Sequence, residues 1–135
     1  MDRTLVICKP DAVERGLVGE IISRLERKHL RIVAMELRRL DESTLGRHYE
    51  EHKGKPFYAD LVAFMSRGPV VTMAVEGPQD TWKVVRGLMG STNPREATPG
   101  TIRGDLAIEL TENLVHGSDG PDSSARELGI FFPGL

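Results

Sequence analysis

The sequence predicts a single domain of mixed α and β structure, and three observations carry that prediction. Short apolar, β-branched runs at Thr4 to Cys8 and Pro69 to Val75 have the length and composition of buried strands. Between them, apolar residues return every three or four positions, the spacing of one helix face. The 135 residues contain no linker, repeat or low-complexity tract, so one core spanning residues 1–135 is expected.

Thr4-Leu5-Val6-Ile7-Cys8 is the first strand, and Lys9-Pro10-Asp11 ends it in a charged turn that leaves Lys9 on the rim of the sheet. Val18, Ile21, Ile22 and Leu25 follow at helical spacing, with Glu20, Arg24, Glu26 and Arg27 on the solvated side. Arg31 to Leu40 alternates imperfectly around Ile32, Val33, Met35 and Leu37 and reads as a second strand. Asp41-Glu42-Ser43-Thr44 supplies capping groups for a helix through Leu45, His48, Tyr49 and His52, closed by Gly54. A helix after Pro56 carries Phe57, Leu61, Phe64 and Met65 and stops at Gly68-Pro69, which makes the pair a helical hairpin. The strand to Val75 comes next, then a helix begun by Gly77-Pro78, with Trp82, Val85, Leu88 and Met89 as its stripe and Arg86 to one side. Gly90 to Gly104 has no period and reads as a long shaped loop. A short strand is expected within 113–119 and a brief helix from Ser123 to Leu128, with Phe131-Phe132-Pro133 tucked against the body. Periodicity admits both a parallel doubly wound sheet and an antiparallel ferredoxin-like sandwich.

Composition narrows the function. Eighteen basic and twenty acidic residues leave a formal charge of −2, so no net field draws the whole protein to nucleic acid or membrane, and an anion site has to be built locally. No segment reaches membrane-spanning length, and the first residues lack the apolar core of a signal peptide. Cys8 has no partner for a disulfide and sits in an apolar run, which points to a reducing, cytoplasmic setting.

The chemistry is concentrated in Asn113-Leu114-Val115-His116-Gly117-Ser118-Asp119. Imidazole is partly neutral near pH 7 and can act as base or nucleophile. Gly117 is expected to leave the His116 ring uncrowded, and Ser118 or a carboxylate to fix its tautomer. Lys9, Arg86, Thr92 and Arg103 supply the ammonium, guanidinium and hydroxyl groups that suit phosphate. Neither a Walker loop nor a Gly-x-Gly-x-x-Gly turn is present, so side chains rather than a glycine cradle would hold phosphates. Histidines 48 and 52 stand four apart but lack the glutamate of a zinc helix, and no metal is expected on protein side chains alone.

Taken together, Lys9-Pro10-Asp11, Arg15-Gly16-Leu17-Val18-Gly19-Glu20, Gly54-Lys55-Pro56-Phe57, Thr92-Asn93-Pro94, Pro99 through Asp105 and Asn113 through Asp119 resemble nucleoside diphosphate kinases from Thr4 to the tail. The resemblance implies an α+β ferredoxin-like sandwich: a four-stranded antiparallel sheet with helices on it and an inserted helical hairpin. It implies ping-pong transfer of a γ-phosphoryl from nucleoside triphosphate to nucleoside diphosphate through phosphohistidine on His116, with Mg2+ carried on the nucleotide phosphates. Lys9 and Asn113 match positions that hold the sugar hydroxyls, and Tyr49 one that steadies Lys9 and His116. His52, Arg86, Thr92 and Arg103 match phosphate positions; Phe57 and Leu61 match the shallow slot for the base. Glu127, helped by Ser118, matches the carboxylate behind the histidine. A homo-oligomer, tetramer or hexamer, is implied as well. Gly120-Pro121 and Cys8 depart from the family pattern, the first placing in question how the Glu127 helix begins. Two rivals share the fold: a phosphocarrier or protein-histidine kinase, and a nucleic-acid-binding regulator, the latter disfavoured by charge and by few aromatics. His116→Ala is expected to abolish exchange, and Arg103→Ala to weaken triphosphate use without preventing folding.

Overall fold

In a computed structural model describing residues 1–135, β1 (Asp2–Cys8) lies inside a sheet of order β2-β3-β1-β4, with β2 at Arg31–Arg38, β3 at Val70–Gly77 and β4 at Val115–Gly117. All three pairings are antiparallel: β1 with β3 from Asp2↔Gly77 to Cys8↔Val71, β1 with β4 about Ile7↔His116, and β2 with β3 from Arg31↔Glu76 to Arg38↔Val70. That ladder excludes the parallel alternative. β3 fills the gap between β1 and β2, whose crossover runs through α1 (Pro10–Glu14) and α2 (Val18–Arg27), the split β-α-β of a ferredoxin-like sandwich.

β1 is apolar in every position from Leu5 onward because both of its faces are covered. Val6 and Cys8 join Ile21 and Leu25 of α2 and Val85 and Met89 of α5 (Thr81–Met89) in one core. Leu5 and Ile7, one residue out of phase, join Leu45, Met65 and Phe131 on the other face, under α3 (Glu42–His48), α4 (Tyr58–Ser66) and α7 (Pro121–Phe131). Each large aliphatic side chain buried this way contributes about 1.5–3 kcal/mol. The imperfect alternation of β2 has a cause: the register slips between Ile32 and Ala34, which throws Val33 into a bulge. β2 is also an outer strand, and Met35 and Leu37 stay exposed on it.

Several elements differ from the sequence reading. Lys9-Pro10-Asp11 is the start of α1 and not merely a turn: Lys9 is the N-cap, and Pro10 follows where a missing N–H costs nothing. The helix expected through His52 breaks at Tyr49, whose backbone (φ −103, ψ 31) leaves the α region, and a 3-10 turn (Glu50–His52) continues it. The aperiodic stretch from Gly90 to Gly104 holds a 3-10 turn at Pro94–Glu96 and the start of α6 (Ile102–Leu106), capped by the Thr101 hydroxyl, which accepts from the Gly104 N–H at 3.0 Å. Five residues are too few to show a helical period. β3 runs on to Gly77, α5 begins later than Gly77-Pro78, and α7 is longer at both ends than Ser123 to Leu128. The hairpin of α3 and α4 and the buried Phe131 match expectation.

Candidate active site

His116 is the middle residue of β4, and the alternation of a strand decides where its ring points. Val115 packs into the core beneath α5, whereas His116 turns to the opposite face, toward α3 and α7. Its Nε2 lies 2.9 Å from Glu127 Oε1, and the Ser118 hydroxyl donates to the same oxygen at 2.8 Å while accepting from the Leu5 N–H at 3.3 Å. Burial alone would raise the Glu127 carboxyl, but the bonds from His116 and Ser118 and the neighbouring histidines hold it below the ordinary value. An ionised carboxylate can only accept, so in the neutral ring Nε2 carries the proton and Nδ1 keeps its lone pair. Gly120-Pro121 does not disturb this arrangement: Pro121 occupies the first turn of α7, and Glu127 arrives buried beneath the ring.

Gly117 has a different use from the one expected. It keeps the strand close to α5, since a Cβ there would lie 2.6 Å from Met89 Sδ and 3.3 Å from Val85 Cγ1. The histidine itself is crowded on one side by His48, to which the sequence assigns no role in the site. The two rings meet edge to face at 4.7 Å, and Tyr49 and Phe131 enclose His48 at 4.5 and 5.3 Å. Burial first, then the His116 charge, pushes the His48 imidazole down to about 3, so it is neutral. Both of its nitrogens are buried without a hydrogen-bond partner. The one signal for it in the sequence was its four-residue spacing from His52.

The cationic side chains converge on a cleft of about 240 Å³ in front of His116. Lys9 Nζ donates to Asn113 Oδ1 at 2.7 Å, and the Asn113 amide donates to the carbonyls of Thr92 and Leu110, both at 3.0 Å. Burial, followed by the Arg103 charge, lowers Lys9 to about 8 despite Asp11. Arg86 donates to the Gly117 carbonyl at 3.1 Å. Arg103 is the most anchored of the set: Nε donates to the Asn113 carbonyl (3.2 Å), Nη1 to Gly90 (3.0 Å) and Nη2 to Val115 (2.7 Å). Burial and then Arg86 lower it to about 10. Two of its five N–H groups stay free for an anion.

The structure therefore brings Lys9, Arg86, Thr92, Arg103 and Asn113 to one wall of the cleft and His116 with Glu127 to its floor. Tyr49, His52 and Leu61 also line the cleft; Tyr49 makes no hydrogen bond to Lys9 or His116, and burial, with Glu127, raises its phenol. Ser118 sits behind Glu127, 1% exposed. Phe57 stands outside the cleft at its margin, 47% exposed, with its ring 5.3 Å from His52. The donor atoms of His48, His116 and Glu127 lie within 4.8 Å of one another. Only three protein donors converge there, and two of them, His116 and Glu127, are already hydrogen-bonded to each other at 2.9 Å. Two imidazoles and one carboxylate are also a poor shell for magnesium, which wants oxygen.

A braced, half-exposed imidazole facing a wall of guanidinium and ammonium groups defines a phosphoryl-transfer enzyme, built here on a ferredoxin-like sheet. The sequence profile of nucleoside diphosphate kinase matches residues 2–135. Nucleoside diphosphate kinases from Streptomyces avermitilis (59% identity over 98% of this chain and 96% of the relative) and Thermobifida fusca (55% over 100% and 99%) are similar along the whole length. So is the crystal structure of a family protein from Babesia bovis (44% identity, TM-score 0.95, 98% of this chain and 88% of that one). A halophilic enzyme from Halobacterium salinarum in complex with CDP superposes with a TM-score of 0.93 (48% identity, 97% and 87%). The chain belongs to the nucleoside diphosphate kinase family.

Proposed function

We propose that His116 accepts the γ-phosphoryl of a nucleoside triphosphate and passes it to a different nucleoside diphosphate, maintaining triphosphate pools. The observation that carries this reading is the 2.9 Å contact of His116 Nε2 with Glu127, which leaves Nδ1 unprotonated toward the cleft. Nδ1 attacks the γ-phosphorus, an N–P bond forms, the bond to the bridging oxygen breaks, and nucleoside diphosphate leaves with that oxygen. The Nε2 proton stays shared with Glu127, which balances the positive charge growing on the ring. The second half runs the same steps backward onto another diphosphate.

Lys9, Arg86 and Arg103 would neutralise the phosphate chain, and Lys9 with Asn113 would take the sugar hydroxyls. Charge-assisted contacts of this kind contribute about 1.5–3 kcal/mol each, enough in combination to order a flexible triphosphate. His52 and Thr92 would complete the phosphate shell, and Tyr49 lines the same cleft without a hydrogen bond to Lys9 or His116. Phe57 and Leu61 would receive the base, a shallow site that reads few base edges and so admits many nucleotides. Magnesium would be held by the nucleotide phosphates and not by protein side chains, and would screen the charge between them. Exposed Met35 and Leu37 on the outer strand β2 support self-association, as a tetramer or hexamer. No helix is long and apolar enough to cross a membrane, and a cytoplasmic setting fits the buried Cys8, whose thiol is pushed up to about 12 by burial and by Asp11.

The test is incubation with radiolabelled ATP and magnesium, followed by addition of a second nucleoside diphosphate. The expected result is an acid-labile, alkali-stable phosphoprotein that the diphosphate discharges; His116→Ala should form none. Substantial exchange by that variant would refute the assignment.

A further inference from the structure

Leu114 is one of only three non-glycine residues with positive φ, at 76°, and it is fully buried immediately before the strand that carries His116. The Val115 N–H donates across it to the Asn113 carbonyl at 2.9 Å. A two-residue bond about such a φ is a classic γ-turn, a conformation that is rare and strained for a branched side chain. Something has to hold it, and both peptide groups of Leu114 are held by the segment that follows β1. Its N–H donates to Asp11 Oδ2 at 3.0 Å, and its carbonyl accepts from the Lys9 N–H at 2.9 Å.

We infer that Asp11 is a positioning residue for phosphoryl transfer, its carboxylate clamping Leu114 in the γ-turn that sets Asn113 and His116. The inference rests on the function proposed above. Asp11 is 2% exposed and hydrogen-bonds to this turn, while its charge also supports the Lys9 ammonium. Upstream of the turn, Asn113 meets Lys9 Nζ; downstream, Val115 leads into His116. A turn that relaxed to negative φ would move Asn113 away from Lys9 and re-aim His116 in its approach to Glu127. The Asp11 bond therefore ties the cationic wall to the nucleophile through one strained residue. Its second oxygen, Oδ1, is buried without a partner, so the carboxylate is retained at this place in spite of a desolvation cost.

The experiment compares single-turnover phosphorylation of His116 by ATP in Asp11→Ala, Asp11→Asn and Asp11→Ala/Leu114→Gly, per folded molecule and well below each melting point. Loss of the clamp from a strained residue should slow Asp11→Ala about 10- to 100-fold, mostly in kcat. Asparagine keeps an oxygen for the Leu114 N–H and should retain most of the rate. Glycine at 114 adopts positive φ freely and should restore much of what alanine removes. A residue with only a structural role would lower the melting point and leave these rates alone. Hydrogen exchange supplies an arm independent of activity: the Leu114 amide should be protected in the parent and lose protection selectively in Asp11→Ala. Parental rates in folded Asp11→Ala, or equal losses in the asparagine and alanine variants, would overturn the inference. If Asp11→Ala does not fold, Asp11→Leu, which fills the same space without an oxygen for the Leu114 N–H, takes its place in the comparison with Asp11→Asn. A parent that forms no phosphohistidine refutes the proposed function instead, and the exchange arm still decides whether Asp11 holds the turn.

Discussion

His48 offers the most quantitative prediction, because its burial can be converted into a pH dependence. The folded imidazole titrates at about 3 against an ordinary 6.5. With the folded value below the unfolded one, the unfolded chain binds the extra proton between these limits, so stability is intact above pH 6.5 and falls as pH falls toward 3. Each pH unit inside the window costs about 1.4 kcal/mol, which makes the His48 contribution about 3 kcal/mol at pH 4.5. His48→Phe removes the titration while keeping a ring against Tyr49 and Phe131. Since neither His48 nitrogen has a partner, no hydrogen bond is lost, and the change at pH 7 should stay within about 1 kcal/mol. Urea unfolding of both proteins at pH 7 and 4.5, at one protein concentration, checks this. Carboxylates away from the ring titrate in both proteins and cancel in the difference, while Glu127, whose charge acts on His48, is measured as part of the same pair. The variant should gain about 3 kcal/mol over the parent on acidification. Parallel pH profiles would refute the claim that His48 is held neutral by burial.

Arg103→Ala should lower stability as well as weaken triphosphate use, while still folding. Three carbonyls lose their donor, and an unfolding free energy lowered by about 2–4 kcal/mol is expected by chemical denaturation. Lys9, lowered to about 8 when the site holds no anion, should regain its proton when phosphate arrives. Calorimetric titration of ADP at pH 8.5 in buffers of different ionisation heat should register uptake of up to one proton, vanishing below pH 7, where Lys9 is charged in both states. Buffer-independent heats at pH 8.5 would contradict it.

The parts legible in the sequence were those whose signal is periodic or chemically typed. β1 announced itself because both faces are buried, and α2 because Ile21 and Leu25 alone are fully covered on it. The resemblance supplied topology, since a four-stranded ladder depends on partners far apart in the chain. His116 and the cationic residues stood out as candidates by residue type, and the resemblance added Glu127 and gave each its role. What escaped were features with no local signature. α1 and α6 are five residues each, defined by caps and not by stripes. His48 reads as one more polar helix residue until α7 and β4 close over it. The use of Gly117 depends on Met89, 28 positions away in sequence, and no pattern around the glycine carries that information.

The outermost strand also has an unusual finish. Leu114 and Ser118 of that ribbon bond to β1, so by alternation the carbonyls of Asn113, Val115 and Gly117 look outward. All three are taken by guanidinium groups, two by Arg103 and one by Arg86. A border that would otherwise be an open template for another chain is thus sealed by the same two cations that face the cleft. Any growth of the sheet by strand addition is left to the far border, along β2, and the histidine ribbon stays unpaired on its outer side.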